Sequence, residues 1–503
     1  MAVIELTGAG LTPDSLAQIA SGAEVMLSAD GLEDMRASHD ILTTAQSEGQ
    51  PIYGVTTGLG PLVGKGLSGD DQAEMSRLTI RGRAHAVGAP LDHRLVRAAM
   101  AVRANTLLTG ASGASPDLPL AIVACLNAGL SPVIREAGSV GAGDLMWGGA
   151  LGLGLIGEGE MDTPQGRRPS ADALQSAGLS PYLPGPRDGL AMAASSAPVA
   201  AIAALGLLRA EVVFESAQTA AALSLEAFRS NLSPLRFRVL ALRPQPGQMA
   251  AAAGIAARLE GSPLHEKGAA RRVQDPLSLR NIAQIHGAVV AALDVADQAV
   301  RDELNGASDN PVVLAKTGEV LSSGGFLTPH LAIVLGMLAQ SFVHLAAAQV
   351  GRMAKLIHNR FSDLPDRLTE GQTGSAGVAP VMKSAEALFS EIVHLAQPAP
   401  VYPSAGADGV EDVVTHSAVP AKSLMTITGH LQRLIAIELL IAAQAVEMRG
   451  IQEIAPMMRS TLAAVRKVSP TVQDDRPLSD DIEALAEEVA KGTFEEPTAI
   501  YLV

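Results

Sequence analysis

A single cysteine, Cys125, occurs in the 503 residues of the chain, so no internal disulfide framework exists. It lies in the apolar stretch 121–126, where a lone thiol is commonly a small core residue rather than a nucleophile. Aromatic residues make up 3% of the sequence and charged residues 18%, against about 25% charged in an average soluble domain. With 48% hydrophobic residues, the deficit predicts a sizeable core and much surface buried between subunits, hence an oligomer. Clustered cations are also missing. Thirty-seven Lys and Arg face 52 Asp and Glu, for a net charge of -15, and the scattered cations exclude a nucleic-acid footprint. The 11 histidines form no HxxxH or His-Cys pattern, so no metal site is expected. The run Gly148 to Gly159 lacks the Lys-Ser/Thr ending of a phosphate loop and is expected to pack a helix closely. No basic n-region or cleavage site accompanies Val3-Ile4-Glu5, so no secretory signal is expected, and a cytoplasmic setting is. Long uninterrupted apolar runs are lacking too. Glu438 and Gln444 break 434–446, while His330, Gln340, His344 and Gln349 break 329–356. Neither offers the ~20 apolar residues of a membrane span, and buried bundle helices are the better reading.

What is present in abundance is helical signal. Val199 to Phe228, Gln284 to Leu304, Pro329 to Ile357 and Ser423 to Glu453 are rich in helix formers and free of internal proline. Their length exceeds that of an ordinary globular helix and suggests a bundle built from several subunits. Stretches 54–67 and 400–409 read as loops feeding a site, and 475–503 as an acidic, solvated helix with a short end. The expected division is a mixed N-terminal region over residues 1–210 and a long-helix region over 211–503. The fold class is mainly all-α.

Several motifs carry chemistry. Gly138-Ser139-Val140-Gly141-Ala142-Gly143-Asp144-Leu145 is the most informative, joined by Tyr53-Gly54-Val55-Thr56-Thr57-Gly58-Leu59-Gly60, Gln274-Asp275-Pro276-Leu277-Ser278-Leu279-Arg280 and Glu303-Leu304-Asn305-Gly306-Ala307-Ser308-Asp309-Asn310-Pro311. On these the chain resembles the aromatic amino-acid ammonia-lyase and aminomutase family over nearly its whole length. The resemblance implies a long-helix bundle of the ammonia-lyase and aspartase-fumarase type, and a homotetramer whose active sites each take residues from three subunits. It also implies that the extra shielding domain of plant and fungal members is absent at this length.

In that family an Ala-Ser-Gly segment cyclises to methylidene-imidazolone, the serine losing water to leave an exocyclic methylidene. Here Ala142 is followed directly by Gly143. No residue between them carries a leaving group, and Ser139 is poorly placed because the β-branched Val140 follows it. The degenerate segment Gly141, Ala142, Gly143 and Asp144 is therefore expected to hold no prosthetic group.

The resemblance assigns Tyr53 as base, which must be tuned from a pKa of about 10 in water. Arg280 would grip a substrate carboxylate with its planar fork, a geometry lysine cannot copy, with Gln274 beside it. Asn305, Asn310 and Phe326 would line the substrate, although Asn310-Pro311 also suits a turn and Phe326 a core. Glu411 is a buried acid or base, or a helix-start carboxylate. Departures cluster: Leu277 stands for the family's tyrosine, Ala194 for an asparagine and Arg83 for a histidine, with His85 two places on, while Val410 and Val413 flank Glu411-Asp412 in place of glutamine and histidine. Trp147-Gly148-Gly149-Ala150 replaces Pro-Leu-Ala-His. Ala193, Ala194 and Gly325 suggest an altered pocket.

Acid-base residues alone typically supply ~10² to 10⁴-fold, so deamination of an ordinary amino acid without the electrophile would be slow. Three readings compete. The first is a cofactor-free lyase or related isomerase acting on a small, carboxylate-bearing, amino-acid-like substrate, with Tyr53 taking an activated proton, Arg280 holding the acid group and Glu411 or His85 assisting the leaving group. The second is a conventional histidine-type ammonia-lyase with a cyclised segment. The third is a catalytically silent paralogue that binds a ligand or an active homologue.

Overall fold

A computed structural model describes every residue except 1–2, 61–62, 65, 67–68, 372–373, 400, 451–452 and 496–503, together with the side chains of 69, 70 and 73. The chain forms two compact units, one of 1–205, 297–333 and 398–422 and one of 206–296, 334–397 and 423–503. Both units are discontinuous in sequence.

Four long helices dominate: Ala197–Phe228, Ile282–Asn305, Pro329–Ile357 and Ala418–Met448. Each matches an expected segment to within a few residues at its start. The last ends before Glu453, because Gly450 takes a left-handed conformation (φ 65°) and its N–H closes back on Glu447, a common way of stopping a helix. Ala197–Phe228 is apolar on all sides and buried almost throughout, the pattern of an interior helix. Three helices are long and apolar enough to cross a membrane by length and composition alone. In the last of them two buried polar side chains are paired within the protein: Glu438 receives Arg352 at 2.6 and 3.0 Å and Ser224 at 2.9 Å, and Gln444 joins Leu368 and Val472.

All described strands lie in the first unit. They are two to four residues long and pair in small sheets, including Ile4–Leu6 with Val25–Leu27 in parallel and the antiparallel hairpins Val312–Leu314 with Glu319–Leu321 and Pro403–Ala405 with Glu411–Val413. The helix Leu145–Leu155 is glycine-rich for a packing reason. A Cβ on Gly148 would lie 2.3 Å from the carbonyl oxygen of Ala193, and one on Gly152 2.8 Å from the Met192 side chain, so the helix rests backbone to backbone on Asp188–Ala193. In the second unit, Ser479–Ala490 is amphipathic rather than wholly solvated, with Ile482, Leu485, Ala486 and Val489 buried.

Candidate active site

Segment 138–145 is held by hydrogen bonds from four directions. The Gly143 N–H donates to the Phe326 carbonyl at 3.1 Å, and the Gly143 carbonyl accepts from Ser195 N at 2.8 Å. Val140 O accepts from Thr415 N (3.2 Å) and His416 N (2.9 Å), and Gly141 O accepts from Thr415 Oγ1 at 2.9 Å. Gly141 has φ 75° and a Cβ there would sit 2.1 Å from Thr415 Oγ1, so only glycine fits. A Cβ built on Gly143 would meet Phe326 Cβ at 3.6 Å and Ala194 Cα at 3.8 Å. Phe326, Ala194 and segment 141–144 thus lie together.

Asp144 ends the segment in a left-handed conformation, φ 43°. Its buried carboxylate accepts from Val199 N at 2.9 Å, at the start of the helix Ala197–Phe228, and from Ser139 Oγ. Ser139 Oγ also accepts from Gly141 N at 3.1 Å, so its hydroxyl is committed to shaping the turn. Burial pushes Asp144 up to about 6, against the hydrogen bonds that pull it down. Glu303, near Asp144 and bonded to Ser196, is likewise raised by burial.

A second group forms around Arg83. Burial lowers its guanidinium while nearby Tyr53 and Glu411 raise it, so base candidate, acid candidate and cation share one neighbourhood of the first unit. Tyr53 Oη accepts from Gly60 N at 3.0 Å, curling the loop 53–60 around its own ring. A Cβ on Gly60 would meet Ala407 at 3.7 Å, which sets this loop against the hairpin carrying Glu411. His85 is exposed two residues beyond Arg83.

The asparagines have other duties. Asn305 Oδ1 accepts from Leu11 N and Asn105 Nδ2, and Nδ2 donates to Leu11 O and Arg301 O. Its amide is therefore fully occupied in fastening the N-terminal segment. Asn310, before a cis Pro311, accepts from Ser323 N at 2.9 Å through Oδ1, and its carbonyl accepts from Arg187. Spacing could not show the device behind it: the buried Asp309 carboxylate bridges Arg103 at 2.8 Å and Arg187 at 3.4 Å. Gln274, Leu277 and Arg280 belong to the second unit, where Gln274 is exposed, Leu277 is 64% exposed and Arg280 lies close enough to Asp275 to act on its carboxyl. Among the described residues no group of acidic, His or Cys side chains could hold a metal ion.

Two residues at this site escaped the motif reading, Tyr402 and His416, whose rings stand 5.3 Å apart. The available signal was a displaced histidine: the family's element expects one at Val413, and one stands at 416.

Residues 11–467 match the family model for aromatic amino acid lyases. Histidine ammonia-lyase of Symbiobacterium thermophilum is 35% identical over 494 residues, covering 98% of this chain and 97% of its own. That of Anaeromyxobacter dehalogenans is 34% identical, covering 98% and 100%. Among solved structures, the ergothioneine-degrading enzyme Ergothionase from Treponema denticola, in complex with desmethyl-ergothioneine sulfonic acid, superposes with a TM-score of 0.93 at 28% identity, covering 98% of this chain and 99% of its own. Histidine ammonia-lyase from Trypanosoma cruzi gives a TM-score of 0.91 at 28% identity, covering 100% and 97%.

Proposed function

Because the chain belongs to the aromatic amino acid lyase family, whose histidine ammonia-lyase members are carbon-nitrogen lyases, we propose that it is an amine-eliminating lyase that works without methylidene-imidazolone. The supporting observation is the Ala142-Gly143 peptide. Cyclisation uses the glycine nitrogen as nucleophile, and here that N–H is spent on Phe326 O at 3.1 Å. No hydroxymethyl side chain stands between the two residues, and Ser139 is tied to Asp144 and Gly141 N. The residues present do not fit the ring.

Chemistry without that electrophile must draw on the substrate. A carboxylate-bearing, amino-acid-like compound with a quaternary ammonium group meets the need, since the amine departs neutral with its bonding electrons and requires no activation. Tyr53, as the base, takes the proton from the carbon next to the one bearing nitrogen. The C–H pair becomes the new C=C bond, the C–N bond breaks, and an acrylate remains. Glu411 is the carboxylate beside Tyr53 and Arg83 that would face the cationic amine, with His85 the second candidate to assist its departure, and Arg280 would hold the substrate carboxylate. Likeness to Ergothionase favours ergothioneine as the first compound to try; likeness to histidine ammonia-lyases at 34–35% identity favours histidine as the second. On the family resemblance we propose a homotetramer, and on the sequence features a cytoplasmic setting without nucleic-acid or membrane partners.

The test combines intact mass with turnover. The mass should equal that of the encoded chain, and ergothioneine should yield trimethylamine. Tyr53→Phe should lower kcat by about 10²-fold or more while an unreactive acrylate still binds. A mass short by two waters would sink the cofactor-free reading.

A further inference from the structure

Beyond Glu411 the chain runs through Val414 and Thr415 to His416, and this short stretch is clamped. Both Thr415 and His416 donate their backbone N–H to Val140 O. Thr415 Oγ1 holds Gly141 O at 2.9 Å, and Thr328 Oγ1 lies 2.7 Å from Ser417 Oγ and 3.3 Å from Thr415 Oγ1. Within that clamp His416 adopts φ 49°, a left-handed conformation that a non-glycine residue holds only where its surroundings impose it. The imidazole stands tilted by 38° on the exposed ring of Tyr402. Its Nε2 is buried and makes no hydrogen bond among the described residues, a state that is unfavourable until a partner arrives.

Val413 and Ala194 stand at positions where the family resemblance expects histidine and asparagine. A strained, clamped residue thus presents an unpaired ring nitrogen beside segment 140–143.

We propose that His416 is a specificity-determining residue whose Nε2 hydrogen-bonds the side-chain ring of the substrate, selecting a nitrogen heteroaromatic ring of the imidazole class over a phenyl ring. An imidazole nitrogen donates or accepts according to tautomer, so it matches a ring bearing both N–H and bare N. A phenyl ring would leave it buried and unpaired. The assignment rests on the proposed function, whose two candidate substrates both carry such a ring, and adds the residue that reads it.

Binding separates the two claims without needing turnover. Isothermal titration of the full-length protein with imidazole-4-acrylate and with cinnamate compares two acrylates that differ in the ring. The native protein should prefer the imidazole compound by about tenfold or more, as expected where a buried polar group would otherwise lose its partner. His416→Leu should erase that preference by weakening the imidazole compound alone. Leucine tolerates φ 49° poorly, so His416→Asn, which accepts a left-handed backbone but reaches less far, provides the second variant and should shift the ratio in the same direction. If folded His416→Asn and His416→Leu keep the native ratio within about twofold, or if the native protein binds both acrylates equally, the assignment of His416 falls and the lyase reading stands. If the native protein binds neither acrylate, the substrate class falls and the assignment with it.

Discussion

Asp144 shows how a retained motif residue can be costly and still indispensable. Its carboxylate is fully enclosed, and burial outweighs the bonds from Ser139 and Val199, raising it from an ordinary 3.8 to about 6. Between those values the folded chain keeps a proton that the unfolded chain has released. The stabilising contribution is therefore complete below about pH 4 and is lost as pH climbs through 6, a swing of roughly 3 kcal/mol. Asparagine at this position would keep an acceptor for Val199 N without the charge. Thermal midpoints measured from pH 4 to 7 should fall for the native protein relative to Asp144→Asn across the range from 4 to 6, then run parallel. Parallel curves over the whole range would show that Asp144 does not titrate there. The work of this acid is architectural: it ties the turn at Gly141 to the first turn of the helix Ala197–Phe228.

At the level of elements, the long helices were legible because composition and the absence of interior proline act locally. The strands were not, since pieces of two to four residues are defined by partners far away, as Val87–Pro90 is by Arg135–Ala137. The candidate site divides in the same way. Tyr53, Phe326, Ala194 and 141–144 are candidates that motifs name, whereas His416 and the Arg103–Asp309–Arg187 bridge depend on three-dimensional closure. Glycine spacing in Leu145–Leu155 is a case where sequence and structure meet, and it makes a sharp prediction. Gly148→Ala drives a Cβ to 2.3 Å from the Ala193 carbonyl, against two helix backbones that cannot rotate away, and should cost about 1–3 kcal/mol. Gly336, inside Pro329–Ile357, has nothing within 4 Å of its would-be Cβ, so Gly336→Ala should be neutral or stabilising by up to about 1 kcal/mol. Denaturation midpoints of the two variants moving in the same direction by similar amounts would contradict the packing argument.

For the whole molecule, the surface poses a question that a single chain answers poorly. Charge is only 18% of the sequence, yet large apolar side chains stand in the open on both units: Leu183 at 84% and Ile333 at 71% on the first, Val273 at 94% and Leu242 at 86% on the second. Exposed apolar groups in such number favour association. Self-association also gives a use to the placement of Gln274 and Arg280 in the second unit, because the family resemblance implies sites fed by several subunits. Native mass measurement at micromolar concentration should therefore find four chains of 51.6 kDa, and a monomer there would remove the basis for a shared site. A tetramer alone does not prove sharing, but complementation does. Tyr53→Phe and Arg280→Gln chains, each inactive when produced separately, should regain turnover when co-expressed, since a mixed assembly restores some sites with both residues intact. Persistent inactivity of a demonstrated mixed tetramer would mean that base and carboxylate anchor come from the same chain.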